Sequence, residues 1–119
     1  MMIPLAAMIV SAQDTRLVLS TAGSRDEAES IAESLVEQGL AACVNLVPGL
    51  TSIYRWQGST ERADEVLLII KTTAQRLPAL EAALRSLHSY EVPELLVLAP
   101  EGGGDDYLAW LIACTGGQK

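Results

Sequence analysis

Three observations predict an α+β fold of order β-α-β-β-α-β for this chain. The stretch from Cys43 to Thr73 crowds β-branched and aromatic residues into two arms with Gly58 between them, the signal of a long hairpin. Two leucine- or isoleucine-striped segments with helical spacing flank that hairpin. A short apolar run, Leu95 to Ala99, follows the second of them.

Taken in order, residues 1–15 read as a flexible N-terminal extension. Met1 to Val10 is apolar but has no Lys or Arg before it, so a secretory signal is not expected, and Met8 is an alternative start. Residues 16–115 form one domain. Arg16 to Thr21 is the first strand, broken by Gly23. Ser24-Arg25-Asp26-Glu27 is a capping box, in which the Ser hydroxyl accepts a free helix N–H and Glu27 reaches back to the cap. Ala28, Ile31, Ala32, Leu35 and Val36 follow the spacing of one helical face, and Gly39 suits the left-handed residue past its end. In the hairpin, Pro48-Gly49 interrupts the first arm and predicts a bulge. Thr73 or a residue just beyond caps the second helix, with Leu77, Leu80, Leu84 and Leu87 as its stripe. Pro78 requires the regular helix to begin within about one turn of it. Pro93 forces the chain extended before a fourth strand, Leu95 to Ala99, apolar enough to be buried on both faces. Gly102-Gly103-Gly104 reads as a flexible connector, and Asp105 or Asp106 as the cap of a short last helix. Residues 116–119 should fray. The sum is a ferredoxin-like βαββαβ sandwich with a long β-hairpin and a short C-terminal helix, in the strand order 4-1-3-2.

Bulk properties exclude several functions. Half the residues are hydrophobic, enough for a core, and Leu, Ile, Val and Ala must fill it because there is no Phe. A net charge of −7 opposes sequence-independent nucleic-acid binding and docking on anionic membranes. No apolar run reaches the ~20 residues that cross a bilayer. Cys43 and Cys114 are far apart and form neither a disulfide framework nor a zinc pattern, so a reducing compartment is the expectation. No dinucleotide fingerprint, Walker loop, nucleophile elbow or paired-histidine zinc motif occurs, and no enzymatic activity is expected.

A few residues stand out as carriers of chemistry. His88 is the sole histidine; it supplies one metal ligand or a proton, or else simply ends a helix where the macrodipole favours it. Lys71 ends an apolar strand, where it either anchors an anionic ligand or snorkels to the rim. Tyr54 and Trp56 alternate with Arg55 and so share a face, as an interface anchor or the wall of a cleft shared with Lys71. Cys43 is a structural thiol or a weak extra ligand, and Glu91 and Glu94 solvate a turn. The first hairpin arm, an edge strand with little charge to protect it, calls for a partner along its length, and another copy of the chain is the simplest one.

Five segments then share an order and spacing: Leu40–Asn45, Tyr54–Gly58, Lys71–Thr73, His88–Glu94 and Asp106–Trp110. Together they resemble the CutA family of divalent-cation tolerance proteins across residues 16 to 112. The resemblance implies a ferredoxin-like fold, a homotrimer, a cytoplasmic setting, and a part in tolerance to copper and other divalent metals. It also implies an architecture similar to PII-type regulators, which opens a second reading: a regulatory module that senses a small anionic ligand in intersubunit clefts. Family copper ligands would fall at Ser20, Leu87 and His88, of which only His88 is a competent copper ligand, so weak copper binding centred on His88 is the expectation.

Overall fold

The computed structural model describes residues 8–116. Within them the chain forms β1 (Ile9–Ser11), β2 (Thr15–Ala22), α1 (Arg25–Glu37), β3 (Cys43–Trp56), β4 (Ser59–Thr73), α2 (Leu77–Leu87), β5 (Leu96–Leu98), β6 (Gly102–Gly104) and α3 (Asp105–Cys114). The main sheet runs β3-β4-β2-β5 with every neighbouring pair antiparallel. This is the expected 4-1-3-2 arrangement read from the other edge, with two interlocked split βαβ units. Both crossovers place their helices on one face, where Val18, Val66, Leu68 and Ile70 of the sheet meet Ala28, Ile31 and Leu35 of α1 and Leu80 and Leu84 of α2.

The ends of α1 show how local sequence sets the fold. Ser24 Oγ accepts the Glu27 N–H at 3.1 Å. At the other end Gly39 adopts φ +71°, its N–H reaches the Val36 carbonyl, and the Leu40 N–H reaches the Leu35 carbonyl. That double closure turns the chain straight into β3. The hairpin closes through Gln57 and Gly58, both with positive φ, a two-residue turn whose twist matches that of the strands. Its register shifts between Val47 and Leu50, where Pro48-Gly49 makes the expected bulge. The hairpin stretches the molecule to 59 Å along one axis against 29 and 23 Å along the others.

Several expectations require correction. The segment assigned to a flexible extension contains β1, and the glycine connector is its partner: Ile9 pairs with Gly104 and Ser11 with Gly102. Residues 1–7 of that extension and 117–119 of the frayed end lie outside the described residues. β5 is exposed along its length: it is an edge strand paired with β2, and among the described residues nothing lies over it. Val36 and Leu87 are likewise surface residues. Thr73 caps a single 3-10 turn, Ala74–Arg76, without a side-chain bond, and α2 follows with Pro78 in its first turn. Gly104, not an aspartate, holds the cap position of α3, while Asp105 Oδ1 accepts the Asp106 N–H.

Candidate functional site

The loop that follows α2 carries two neighbouring polar constellations, and Tyr90 belongs to both. On one side lies His88. Its side chain is fully buried, with Nε2 2.7 Å from the Thr21 carbonyl and Nδ1 accepting the Tyr90 N–H at 3.0 Å. An acceptor at Nδ1 leaves the proton on Nε2, which donates to Thr21, so the neutral ring has both nitrogens engaged. The Tyr90 ring packs on it at 4.6 Å between centroids. Glu27, expected to close the capping box, instead accepts the Ser89 N–H at 2.8 Å and stands 3.6 Å from His88 Nδ1. Burial pushes the Glu27 carboxyl up, but the hydrogen bonds from the Ser89 N–H and hydroxyl and from the Gly23 N–H hold it below its ordinary value. This corner ties the start of α1, the end of β2 and the loop after α2 into one joint.

The expected copper ligands do not fit a metal ion here. The hydroxyl of Ser20 is buried in the core with no hydrogen-bond partner among the described residues, Leu87 is at the surface and has no donor atom, and both nitrogens of His88 are spent. Among the described residues no three His, Cys, Asp or Glu side chains converge as a metal would require. Cys43 is half-buried and Cys114 exposed, both as free thiols.

On the other side of Tyr90 opens a cleft of about 720 Å³ between the hairpin and the loop. The hairpin contributes Ser52, Ile53, Tyr54, Trp56 and Glu65, the loop contributes Tyr90 to Glu94, and β2 contributes Thr21. Register explains the hairpin's share. Ser52 lies opposite Ala63 and Tyr54 opposite Glu61, so Ser52, Tyr54, Trp56 and Glu65 fall on one face. Glu65 is the fixed point, only 9% exposed. Ser52 Oγ donates to its Oε1 and Tyr90 Oη to its Oε2, each at 2.6 Å. Such short bonds to a carboxylate are among the stronger kinds in proteins. Burial, then the bond to Glu65 and its charge, then the charge of Glu27 and the nearby Tyr54, push the Tyr90 phenol well above its ordinary value, so it remains a donor. Tyr54 and Trp56 are 45% and 48% exposed, available to whatever enters.

The cleft therefore holds two of the three residues predicted for it. Lys71 is not there: it sits ten residues along β4 from Glu61, roughly 33 Å at ~3.3 Å per residue. Its ammonium lies 5.7 Å from the centre of the Tyr107 ring on α3, a cation–π contact near the far end of the sheet. Sequence reasoning missed Ser52, Glu65 and Tyr90, and read Glu91 and Glu94 as turn-solvating. The available signal was Glu65 itself, a carboxylate opening the apolar run Val66–Ile70.

An antiparallel ferredoxin-like sheet, a projecting hairpin and an open cleft beside it define a small ferredoxin-like α+β protein. The family model described as "CutA1 divalent ion tolerance protein" matches residues 16–114, and the chain belongs to this family. It is similar to the divalent-cation tolerance protein CutA of Thermus thermophilus, 50% identical over 100 residues, covering 84% of this chain and 97% of that one. It is 49% identical over 88 residues to human Protein CutA, covering 74% of this chain and 49% of the longer human one. The structure of CutA from Synechococcus elongatus superposes with a TM-score of 0.88 at 40% identity, covering 93% of this chain and 98% of that one.

Proposed function

We propose that the chain is a homotrimeric, non-catalytic regulatory module within divalent-ion tolerance, and that it works by reading a small ligand in the hairpin cleft rather than by sequestering copper at His88. The observation that carries this reading is the contrast at Tyr90: an open cleft with a fixed carboxylate on one side, a histidine with no free nitrogen on the other. The phenol of Tyr90 stays protonated and already donates to Glu65, which suits binding better than proton transfer.

Assembly is supported by what one chain leaves uncovered. β3 is an edge strand of 14 residues, and β5, at the opposite edge, exposes Leu96, Val97 and Leu98. Uncovered edges of this kind invite other strands, and closure into a ring satisfies them without growth into filaments. Three is the number that the sequence resemblance implies. A copy laid along β3 would make the cleft intersubunit.

Native mass spectrometry with and without copper(II) tests both parts. The expected spectrum is a trimer whose mass does not change with copper at equimolar concentration. A folded monomer would end the assembly reading, and one tightly held copper per chain would end the indirect role in metal response.

A further inference from the structure

We propose that the open edge of β1 docks an extended peptide of alternating aliphatic and basic residues, which adds to the β1–β6 pair as a third strand. The site is separate from the hairpin cleft and independent of its reading. β1 and the turn after it precede residues 16–114, the part of the chain that the family model matches. Strand pairing shows which backbone groups are open. The Ala12 N–H donates to the Glu101 carbonyl, and a Cβ on Gly102 would lie 2.8 Å from the Val10 carbonyl oxygen, so Val10 and Ala12 turn their backbone groups toward β6. Alternation along an antiparallel pair then points the N–H and C=O of Ile9 and Ser11 the other way. Among the described residues no strand lies on that side. A two-stranded sheet is marginal in water, and an open edge beside the exposed Ile9 and Val10 invites a further strand.

The side chains agree with the backbone. Val10 pairs with Gly103, where a Cβ would meet Leu108 of α3 at 3.3 Å, so Val10 and Ala12 share the face that looks toward α3. Beside them lies a pocket of about 370 Å³, bounded by Leu108 and Ile112 of α3 and by Asp14 and Thr15. No residue of β6 lines it, so it sits on the open side of β1. A third strand there would send every second side chain into it, the mode in which main-chain bonds give affinity and pockets for alternate side chains give specificity. Thr15 is only 3% exposed, and its hydroxyl has no hydrogen-bond partner among the described residues, a buried group that an occupant would satisfy. The apolar wall is aliphatic throughout, which selects an aliphatic side chain. The charge selects basic neighbours. Asp14 lines the pocket, Glu101 binds Ala12, and Asp105 follows Gly104, the partner of Ile9. Arg16, a cation at the same turn, is held by the Gln13 and Thr15 carbonyls at 2.7 Å each.

The test is an NMR titration of the uniformly 15N-labelled full chain, at constant ionic strength, with a capped peptide of alternating lysine and valine. Two control peptides accompany it, one with N-methylated valines and one with glutamate in place of lysine. Ser11→Pro removes a donor on the open side of β1 and leaves the pairing with β6 in place; Asp14→Asn removes the charge at the pocket. We expect saturable shifts centred on the Ile9 and Ser11 amides. Affinity should fall up to about tenfold in Ser11→Pro, the scale of one strand hydrogen bond, and severalfold in Asp14→Asn. Both control peptides should bind more weakly still. Binding that is unchanged in Ser11→Pro, or matched by either control peptide, would overturn the proposal, as would no binding at all. Binding seen only when the chain begins at Met8 would overturn it in favour of residues 1–7 as the occupant. Sedimentation that changes in Ser11→Pro would instead give the edge to a second copy of the chain.

Discussion

The His88 corner and the hairpin cleft share Tyr90 but use their polar groups in opposite ways. In the corner, each donor finds its acceptor inside the chain: His88 to Thr21, Tyr90 N–H to His88, Ser89 to Glu27. In the cleft, Tyr90 and Ser52 fix one carboxylate, while Glu91, Glu94, Tyr54 and Trp56 remain open to solvent. The residue type with the greatest intrinsic range of chemistry, the lone histidine, is spent on holding a loop. Carboxylates that look like ordinary surface charge are arranged around a space. Burial with every partner satisfied marks a structural group, and a fixed charge beside exposed rings marks a recognition surface.

That contrast can be broken at several points. His88→Ala should have the largest effect on stability, roughly 2–4 kcal/mol, because it leaves a cavity and strands the Thr21 carbonyl and the Tyr90 N–H. Denaturant unfolding measures it, and a loss near zero would mean that the corner is not a joint. Glu65→Gln leaves one acceptor oxygen where Ser52 and Tyr90 each use one, sets an NH2 donor against the other hydroxyl and removes the charge, and should cost about 2 kcal/mol. The same change should shift a tyrosine titration. Wild-type absorbance near 295 nm should contain a phase well above pH 10 that Tyr90→Phe removes and Glu65→Gln moves to lower pH. Smallest is Glu27→Gln. A carboxyl depressed in the folded state contributes stability that is fully present above its unfolded value of 4.5 and is lost as pH falls through the lower folded value. Glu27→Gln should therefore lower the melting temperature slightly at neutral pH and have less effect in acid, whereas an effect that grows in acid would reverse the assignment.

Much of the frame was legible because local chemistry agrees with it. Ser24, Gly39 and the Ala28–Leu35 stripe define α1, and Pro48-Gly49 and Gly58 mark the bulge and turn of the hairpin. The small β1–β6 sheet was not, since glycine runs carry no strand signal. Its reason appears only in three dimensions: a Cβ on Gly102 would lie 2.8 Å from the Val10 carbonyl oxygen, so the close approach of these two strands requires glycine. The cleft was half legible. Alternation put Tyr54 and Trp56 on one face, but the Glu65 cluster joins residues 13 and 25 positions apart, beyond any local period. Lys71 misled because ending an apolar strand marks a rim and not which end of the sheet that rim lies on. His88 misled because a sequence shows a ligand's chemistry and not whether its lone pairs are already taken.

The most direct test of the central claim uses the fact that this chain has a single histidine. A long-range proton–nitrogen NMR spectrum of the uniformly 15N-labelled full chain at neutral pH reads the His88 ring without ambiguity. The account predicts a neutral ring protonated at Nε2, with both nitrogen shifts unchanged by an equimolar addition of zinc, a diamagnetic stand-in for copper. A ring protonated at Nδ1, or a nitrogen shift that follows zinc stoichiometrically, would contradict it.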